Sequence, residues 1–515
     1  MRTAALALLT TASLALSACE SVPAPPPGTD ADTAAWWVIT GDLSADGMEG
    51  RDTGSAGYDR AAKYVADRFA KAGLKPAGAK GGWTQTIPLK EVRVEKDGTR
   101  FDVVRGDGST ANLRFLHQIT VRPTDDLPAA IDAPLSFRGY CSAAEMGPNM
   151  RGKVAVCFGG RRRGVPGAAD RIRAAAEAGA VGLINIDDPG FTIEPARWPE
   201  AYARAISFRD AAPPASPRLA VMRLSSASLE AVLQGSGQSA DMILKAGATS
   251  QPLPAFDIPA ILKATFKLSR REFTSDNVLG LLPGTDPALA VDTVIVSAHL
   301  DGYGFGEPVN GDALYNGAFD DAAYVATLIR LAEQRQGKGF RRSVLFAVYT
   351  GEEKGLLGSN WLSQHLVMPK ANIAAVINLD QLRPLFPLKI LTMHAIDDTT
   401  LATNVGRVAS GMGIDVRPDL EPERNLNQRT DHWPFLRMGV PATNFVFGFD
   451  PGTESERRYR EWYQVRYHRP QDDMTQPRDF QAAADMNTFF YRLTEDVANA
   501  NERPTFMAGS PYKPN

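Results

Sequence analysis

The chain has 515 residues, 44% of them apolar and 22% charged, with a formal net charge of −3. That length buries a large core and exceeds one ordinary domain, and the composition is that of a globular protein, not a disordered or fibrous one. A near-neutral balance without a long basic run excludes a polyanion-binding protein, so no nucleic-acid partner is expected.

The first residues read as an export signal: Arg2, an apolar stretch from Ala4 to Leu16, then Leu16-Ser17-Ala18-Cys19. That tetrad resembles a bacterial lipobox, which implies lipid on Cys19 and a protein tethered at the cell envelope, as a periplasmic or outer-membrane lipoprotein. A plain secretory signal with an incidental cysteine is the alternative. Residues 20–34, rich in Pro and Ala, suit a flexible linker. If Cys19 carries lipid, two of the three cysteines remain, Cys141 and Cys157, and an oxidising compartment would permit a bridge between them.

Ala35 to Leu43 reads as a helix, followed by a turn-rich loop from Met48 to Ser55. Tyr58, Ala62, Val65 and Phe69 recur at helical spacing up to Gly73, and Thr84–Leu89 and Arg93–Phe101 alternate as strands. Residues 35–129 thus open one domain. From 130 to 253 the texture changes to short strand-like pieces, with a helix over Ala168–Ala178 and an apolar strand over Val181–Ile186. The first domain resumes over 254–503. There Thr293 to Asp301 (TVIVSAHLD), Ser343–Tyr349, Ala374–Leu379 and Thr443–Phe447 read as buried strands, and Ala322–Gln334 as an amphipathic helix. Strands alternating with helices predict a doubly wound, mostly parallel α/β sheet flanked by helices. The tail, 504–515, is polar and Pro-rich and is expected to lie loosely on the surface. No run beyond the leader is long enough to cross a membrane.

In such sheets the ligand crevice lies beyond the carboxyl ends of the strands, and metal-binding side chains recur there. They are His299 with Asp301, Asp320, the pair Glu352-Glu353, Asp380 and His468. Any one alone could be a cap, a solvated loop or a satisfied core residue; all of them at strand ends, in this order, point to a metal site. Residues i and i+2 share a face of an extended chain, so the Asp301 carboxylate can steady the His299 imidazole. Neighbours in a strand point to opposite faces, so Glu352 and Glu353 enter one site only on irregular backbone, which Gly351 supplies. One then binds metal while the other stays free as a base.

These motifs, with the MEGR–GS loop and the YHRP segment, closely resemble the co-catalytic di-zinc exopeptidases, which include bacterial aminopeptidases, glutamate carboxypeptidases and glutaminyl cyclases. Within 130–253 the segments RGKVAVC and AAAEAGAVGLINI resemble a protease-associated (PA) domain, which implies a β-rich insertion into the zinc exopeptidase fold. The resemblance implies two zinc ions: His299 and Glu353 holding one, Asp380 and His468 the other, with Asp320 bridging. It also implies that Asp301 orients His299 and that Glu352 is the general base and acid. Four positive charges against three carboxylates leave one for a bridging hydroxide, which zinc makes available near neutral pH. Relatives often carry Asn where Asp321 stands, and the family implies a cis Asp320–Asp321 peptide. Asp431-His432 matches a family segment without a metal role and is read as second-layer or substrate-pocket, against helix capping. His117, His365 and His394 are read as structural.

The function so implied is a metallopeptidase acting on peptides, an aminopeptidase removing N-terminal residues. Alternatives are a carboxypeptidase on acidic C-terminal residues, with Arg383, Arg424 and Arg429 as candidate pocket cations, a glutaminyl cyclase, typically with a single zinc, and a catalytically silent binding protein of the same fold. Side-chain preference and oligomeric state are not legible in the sequence.

Overall fold

The computed structural model describes residues 23–160, 164–189, 203–211 and 219–514. The leader with its lipobox therefore lies outside the described residues.

Helix α1 (Ala31–Ser44) starts where the Asp30 carboxylate accepts the amides of Asp32 and Thr33, and α2 (Ala56–Lys71) where the Ser55 hydroxyl accepts that of Tyr58. Three more helices matter below: α3 (Ala323–Arg335), α4 (Glu454–Val465) and α5 (Phe480–Asn499). The main sheet contains β1 (Thr84–Val94), β2 (Arg204–Phe208), β3 (Leu268–Leu282), β4 (Thr293–His299), β5 (Ser343–Tyr349), β6 (Ile373–Asn378) and β7 (Ala442–Thr443). Their spatial order is β7-β6-β4-β5-β3-β1-β2, with the short strand Lys75–Pro76 paired to β3. The four strands from β7 to β5 are parallel, while β3, β1 and β2 run antiparallel. The expected parallel sheet is thus the half that carries the site, and the whole is mixed.

Every residue of β4, β5 and β6 is buried, because both faces are covered. Val294, Val296 and Ala298 of β4 pack into a core with α1, α2, α3 and α5, while Ile295 faces a second core with Leu345, Phe435 and Leu436. That makes the sheet doubly wound and explains its unbroken apolar runs.

A second eight-stranded sheet has its own apolar core. It draws strands from both sides of 130–253, since Ala255–Thr265 pairs with Arg100–Arg105 as well as with Ala130–Arg138. The β-rich unit therefore begins before residue 130 and ends after 253, because non-local pairing, not local texture, sets its edges. In the other direction β2 leaves that unit to close the edge of the main sheet. Cys141 and Cys157 are buried and bridged, their Cα atoms 5.6 Å apart.

The tail is docked, not loose. The Thr400 amide donates to the Thr505 carbonyl at 2.8 Å, and Tyr512 meets Trp433 edge-on with centroids 5.5 Å apart. Among the described residues no helix is long and apolar enough to cross a membrane.

Candidate metal centre

The topology decides which side chains meet. β4 and β6 are parallel neighbours with Ser297 opposite Asn378, so His299 and Asp380 emerge beside each other at the carboxyl edge. On the other flank Tyr349 of β5 lies opposite His299. The chain then turns at Gly351, whose φ of 68° is left-handed, and this turn brings Glu352 and Glu353 to the same site. Asp320 lies in the irregular turn Ala318–Ala322 ahead of α3, and its peptide bond to Asp321 is cis, as the resemblance implied. His468 follows α4 in the left-handed conformation.

Two sets of ligand atoms result, each within 4.8 Å of one another: His299, Asp320, Asp321 and Asp380 in one, and Asp320, Glu353 and His468 in the other. Asp320 Oδ1 lies 3.6 Å from His299 Nε2, and its Oδ2 lies 3.3 Å from His468 Nε2. His468 Nε2 is also 3.2 Å from Glu353 Oε2. Asp320 is common to both sets. The partners on either side differ from the expected ones: His299 goes with Asp380, and Glu353 with His468. The cause is strand order, since β6 and not β5 delivers the carboxylate that faces the His299 side.

The residues fit a divalent cation. Asp320 Oδ2, Glu353 Oε1 and Asp380 Oδ1 are buried without a hydrogen-bond donor among the described residues, a costly state for a carboxylate oxygen that a cation relieves. Mixed imidazole and carboxylate donors suit zinc. Burial opposes ionisation of Asp320, but contact with His299, His468 and Arg383 holds it well below the usual carboxylate range. Burial, with Asp320 and Glu353 nearby, pushes Asp380 up to about 6. Burial, reinforced by Glu353 and Asp380, carries Glu352 well above the ordinary glutamate value. Glu352 belongs to neither ligand set, and its Oε2 stands 3.9 Å from His299 Nε2.

Asp301 works differently from the sequence expectation. His299 Nδ1 meets the main-chain carbonyl of Asp301 at 3.0 Å, whereas the carboxylate is 3.8 Å away. That carboxylate instead accepts the amides of Glu352 at 2.9 Å and Glu353 at 3.3 Å, and the Thr53 hydroxyl at 3.1 Å. It fixes the turn carrying the two glutamates. Asp321 accepts the His299 amide at 2.9 Å. Asp431, fully buried, accepts the Ser359 hydroxyl and is pushed up to about 7 by burial. His432 is held by Thr430 and Asn427, and although it stands at the N-cap of the helix that follows, its side chain makes no capping hydrogen bond.

Three residues important to the centre were not singled out. The Tyr303 hydroxyl lies 3.2 Å from His468 Nδ1, supporting the ring nitrogen opposite the ligand face. Its signal was an aromatic two residues after Asp301. Arg51, fully buried, donates to the carbonyls of Leu43, Leu300, Asn316 and Gly317, so it binds the Met48–Ser55 loop to the chain before Asp320. Thr53, from the same loop, braces Asp301. Arg383, considered for a substrate pocket, is instead buried 3.5 Å from Asp320 Oδ1. Arg424 is buried as well, against Tyr459 and Glu421.

Comparison with known proteins agrees with this architecture. Residues 277–491 match the model of peptidase family M28. The chain is 30% identical over 226 residues to a probable zinc metalloprotease of Pyrenophora tritici-repentis, covering 38% of this chain and 50% of that protein. It is 26% identical over 219 residues to aminopeptidase YwaD of Bacillus subtilis, covering 41% and 43%. These matches span half or less of the curated relatives' length. Among solved structures, an aminopeptidase from Aneurinibacillus sp. strain AM-1 superposes with a TM-score of 0.61 at 19% identity, over 95% of this chain and 98% of the other. BSAP, a zinc aminopeptidase from Bacillus subtilis, gives 0.57 at 17% identity, over 92% and 96%. All five ligands expected from the sequence lie within residues 277–491, the segment that matches the model of peptidase family M28.

Proposed function

We propose that the chain is a zinc-dependent exopeptidase that holds two zinc ions and removes residues from the free amino ends of peptides. The observation that carries this is a pair of ligand sets meeting at one carboxylate, Asp320, with the unligated Glu352 alongside. His299 and Asp380 would hold one cation and Glu353 and His468 the other, with Asp320 shared. Bound there, the zinc pair would supply Lewis acidity that polarises the scissile carbonyl and acidifies a water. Glu352 takes the attacking water's proton on its carboxylate and returns it to the leaving amide nitrogen, help worth roughly 10²–10⁴-fold. The raised proton affinity of Glu352 suits a group that must hold a proton between those two transfers.

A site with surplus buried carboxylates favours a substrate presenting an ammonium group. Two of the cations considered for an acidic C-terminal residue, Arg383 and Arg424, are buried and engaged with protein partners, which weakens the carboxypeptidase alternative. Three of the four proteins compared above are themselves named aminopeptidases. Export to the cell envelope, with a lipid on Cys19, is part of the proposal and is supported by the buried Cys141–Cys157 bridge, which an oxidising compartment maintains. The β-rich unit is proposed to be PA-like on its two sequence motifs.

Aminoacyl-nitroanilides test the reading. Hydrolysis should stop with a strong chelator and return with zinc. Nitroanilide cleavage that ignores the chelator, or inertness toward nitroanilides with cleavage of N-acetylated peptides that have a free carboxyl end, would overturn it.

A further inference from the structure

Arg383 lies three residues beyond Asp380, and its side chain is 2% exposed. Its Nη1 donates to Gln381 Oε1 at 2.7 Å and to the Tyr463 hydroxyl at 3.2 Å, and its Nη2 faces Asp320 Oδ1 at 3.5 Å. The rings of Trp462, Tyr463 and Tyr467 surround the guanidinium, with centroids 4.1, 5.1 and 5.4 Å away. Tyr467 in turn stacks on His468 at 3.6 Å. Arg383 therefore touches the shared ligand, belongs to the segment of a second, and packs on the segment of a third.

A fully buried guanidinium stays charged, so its effect depends on the charge opposite. Asp320, Glu353 and Asp380 bring three clustered carboxylates to the metal-free centre. Arg383 is attracted to that cluster and repelled by the cations that neutralise it. Whatever stabilises the metal-free state more than the loaded state weakens metal binding by the same free energy. We propose that Arg383 is a positioning residue that serves as the counter-ion of the metal-free centre: it holds Asp320 in place before the cations arrive and restrains how tightly they bind. This rests on the two-zinc reading above.

The full chain is measured as parent, Arg383→Met, which keeps bulk without charge, and Arg383→Lys, which keeps charge without the planar fork. Thermal midpoints are taken with chelator and with saturating zinc, and zinc affinity by competition with a chromophoric chelator. For Arg383→Met the metal-free midpoint should fall and the zinc-loaded one fall less, with zinc bound about tenfold tighter, a change of about 1.4 kcal/mol. Arg383→Lys should stay near the parent in zinc affinity. Equal losses in both states with unchanged affinity would reduce Arg383 to a packing role, and weaker zinc binding would reverse its sign; either overturns the proposal. Should Arg383→Met fold only with zinc, the proposal stands; if it folds in neither state, Arg383→Gln takes its place and failure in both states again overturns it. A parent protein that gains nothing from zinc would sink the metal reading separately. The counter-ion role would then be judged on the metal-free midpoints, where only loss of charge should lower them.

Discussion

Asp301→Asn separates two tasks that the sequence had merged. The Asp301 carboxylate accepts the main-chain amides of Glu352 at 2.9 Å and Glu353 at 3.3 Å. An asparagine must turn its NH₂ group toward one of them, so a charge-assisted acceptor is replaced by a donor facing a donor. The Thr53 hydroxyl can reverse its role and adapts. Hydrogen bonds to charged groups are worth about 1.5–3 kcal/mol, so loss of one loosens the glutamate turn by about 2 kcal/mol. If that displacement falls on Glu352 in the transition state, kcat/KM drops roughly 30-fold. His299 keeps its orientation, because its Nδ1 is held by the Asp301 main-chain carbonyl, which the substitution retains. Zinc affinity on the His299–Asp380 side, measured by chelator competition, should therefore change far less than kcat/KM on an aminoacyl-nitroanilide. A fall in the affinity of that zinc proportional to the fall in rate would show that the carboxylate orients the imidazole after all. Unchanged activity would show that the turn needs no such brace.

Other expectations follow from the same geometry. Glu352→Gln should lower kcat by about 10²–10⁴-fold with zinc content unchanged, since Glu352 is not in either ligand set; loss of metal in this variant would show that it is a ligand. His468→Ala and Glu353→Gln should each remove the same zinc, so the double variant retains the other, as metal analysis of the purified protein can count. If the double variant loses both, the partners are those the family resemblance first implied. His394 is buried, neither ring nitrogen has a hydrogen-bond partner among the described residues, and burial followed by Arg424 pushes it from 6.5 down to about 4. The unfolded chain takes up a proton near 6.5 that the folded protein refuses, so this stability is intact above 6.5 and is lost as pH falls toward 4. The loss amounts to about 3 kcal/mol, and urea unfolding of His394→Leu at pH 7.5 and pH 5 should show a smaller drop than the parent. Cys19→Ala should move the protein from the membrane to the soluble fraction of its cell envelope; an unchanged distribution would remove the lipid tether.

The sequence by itself determined the candidate ligand types and their places at strand ends, because a buried parallel strand leaves an unbroken apolar run and ends where polar atoms can be solvated or paired. TVIVSAHLD and the SVLFAVY run before Glu352-Glu353 declare themselves in this way, and Gly351 announces the turn between them. Which ligand faces which was not legible, because adjacency at the carboxyl edge follows strand order, and β6 pairs with β4 across about 80 residues of intervening chain. The same holds for Arg51, which the sequence places only in a turn-rich loop, for Arg383, which it offers as a pocket cation, and for the β-rich unit, whose edge strands lie outside the change in local texture. Local patterning sets what each segment is; only the tertiary structure, by choosing neighbours between distant segments, decided what each buried charge must answer to.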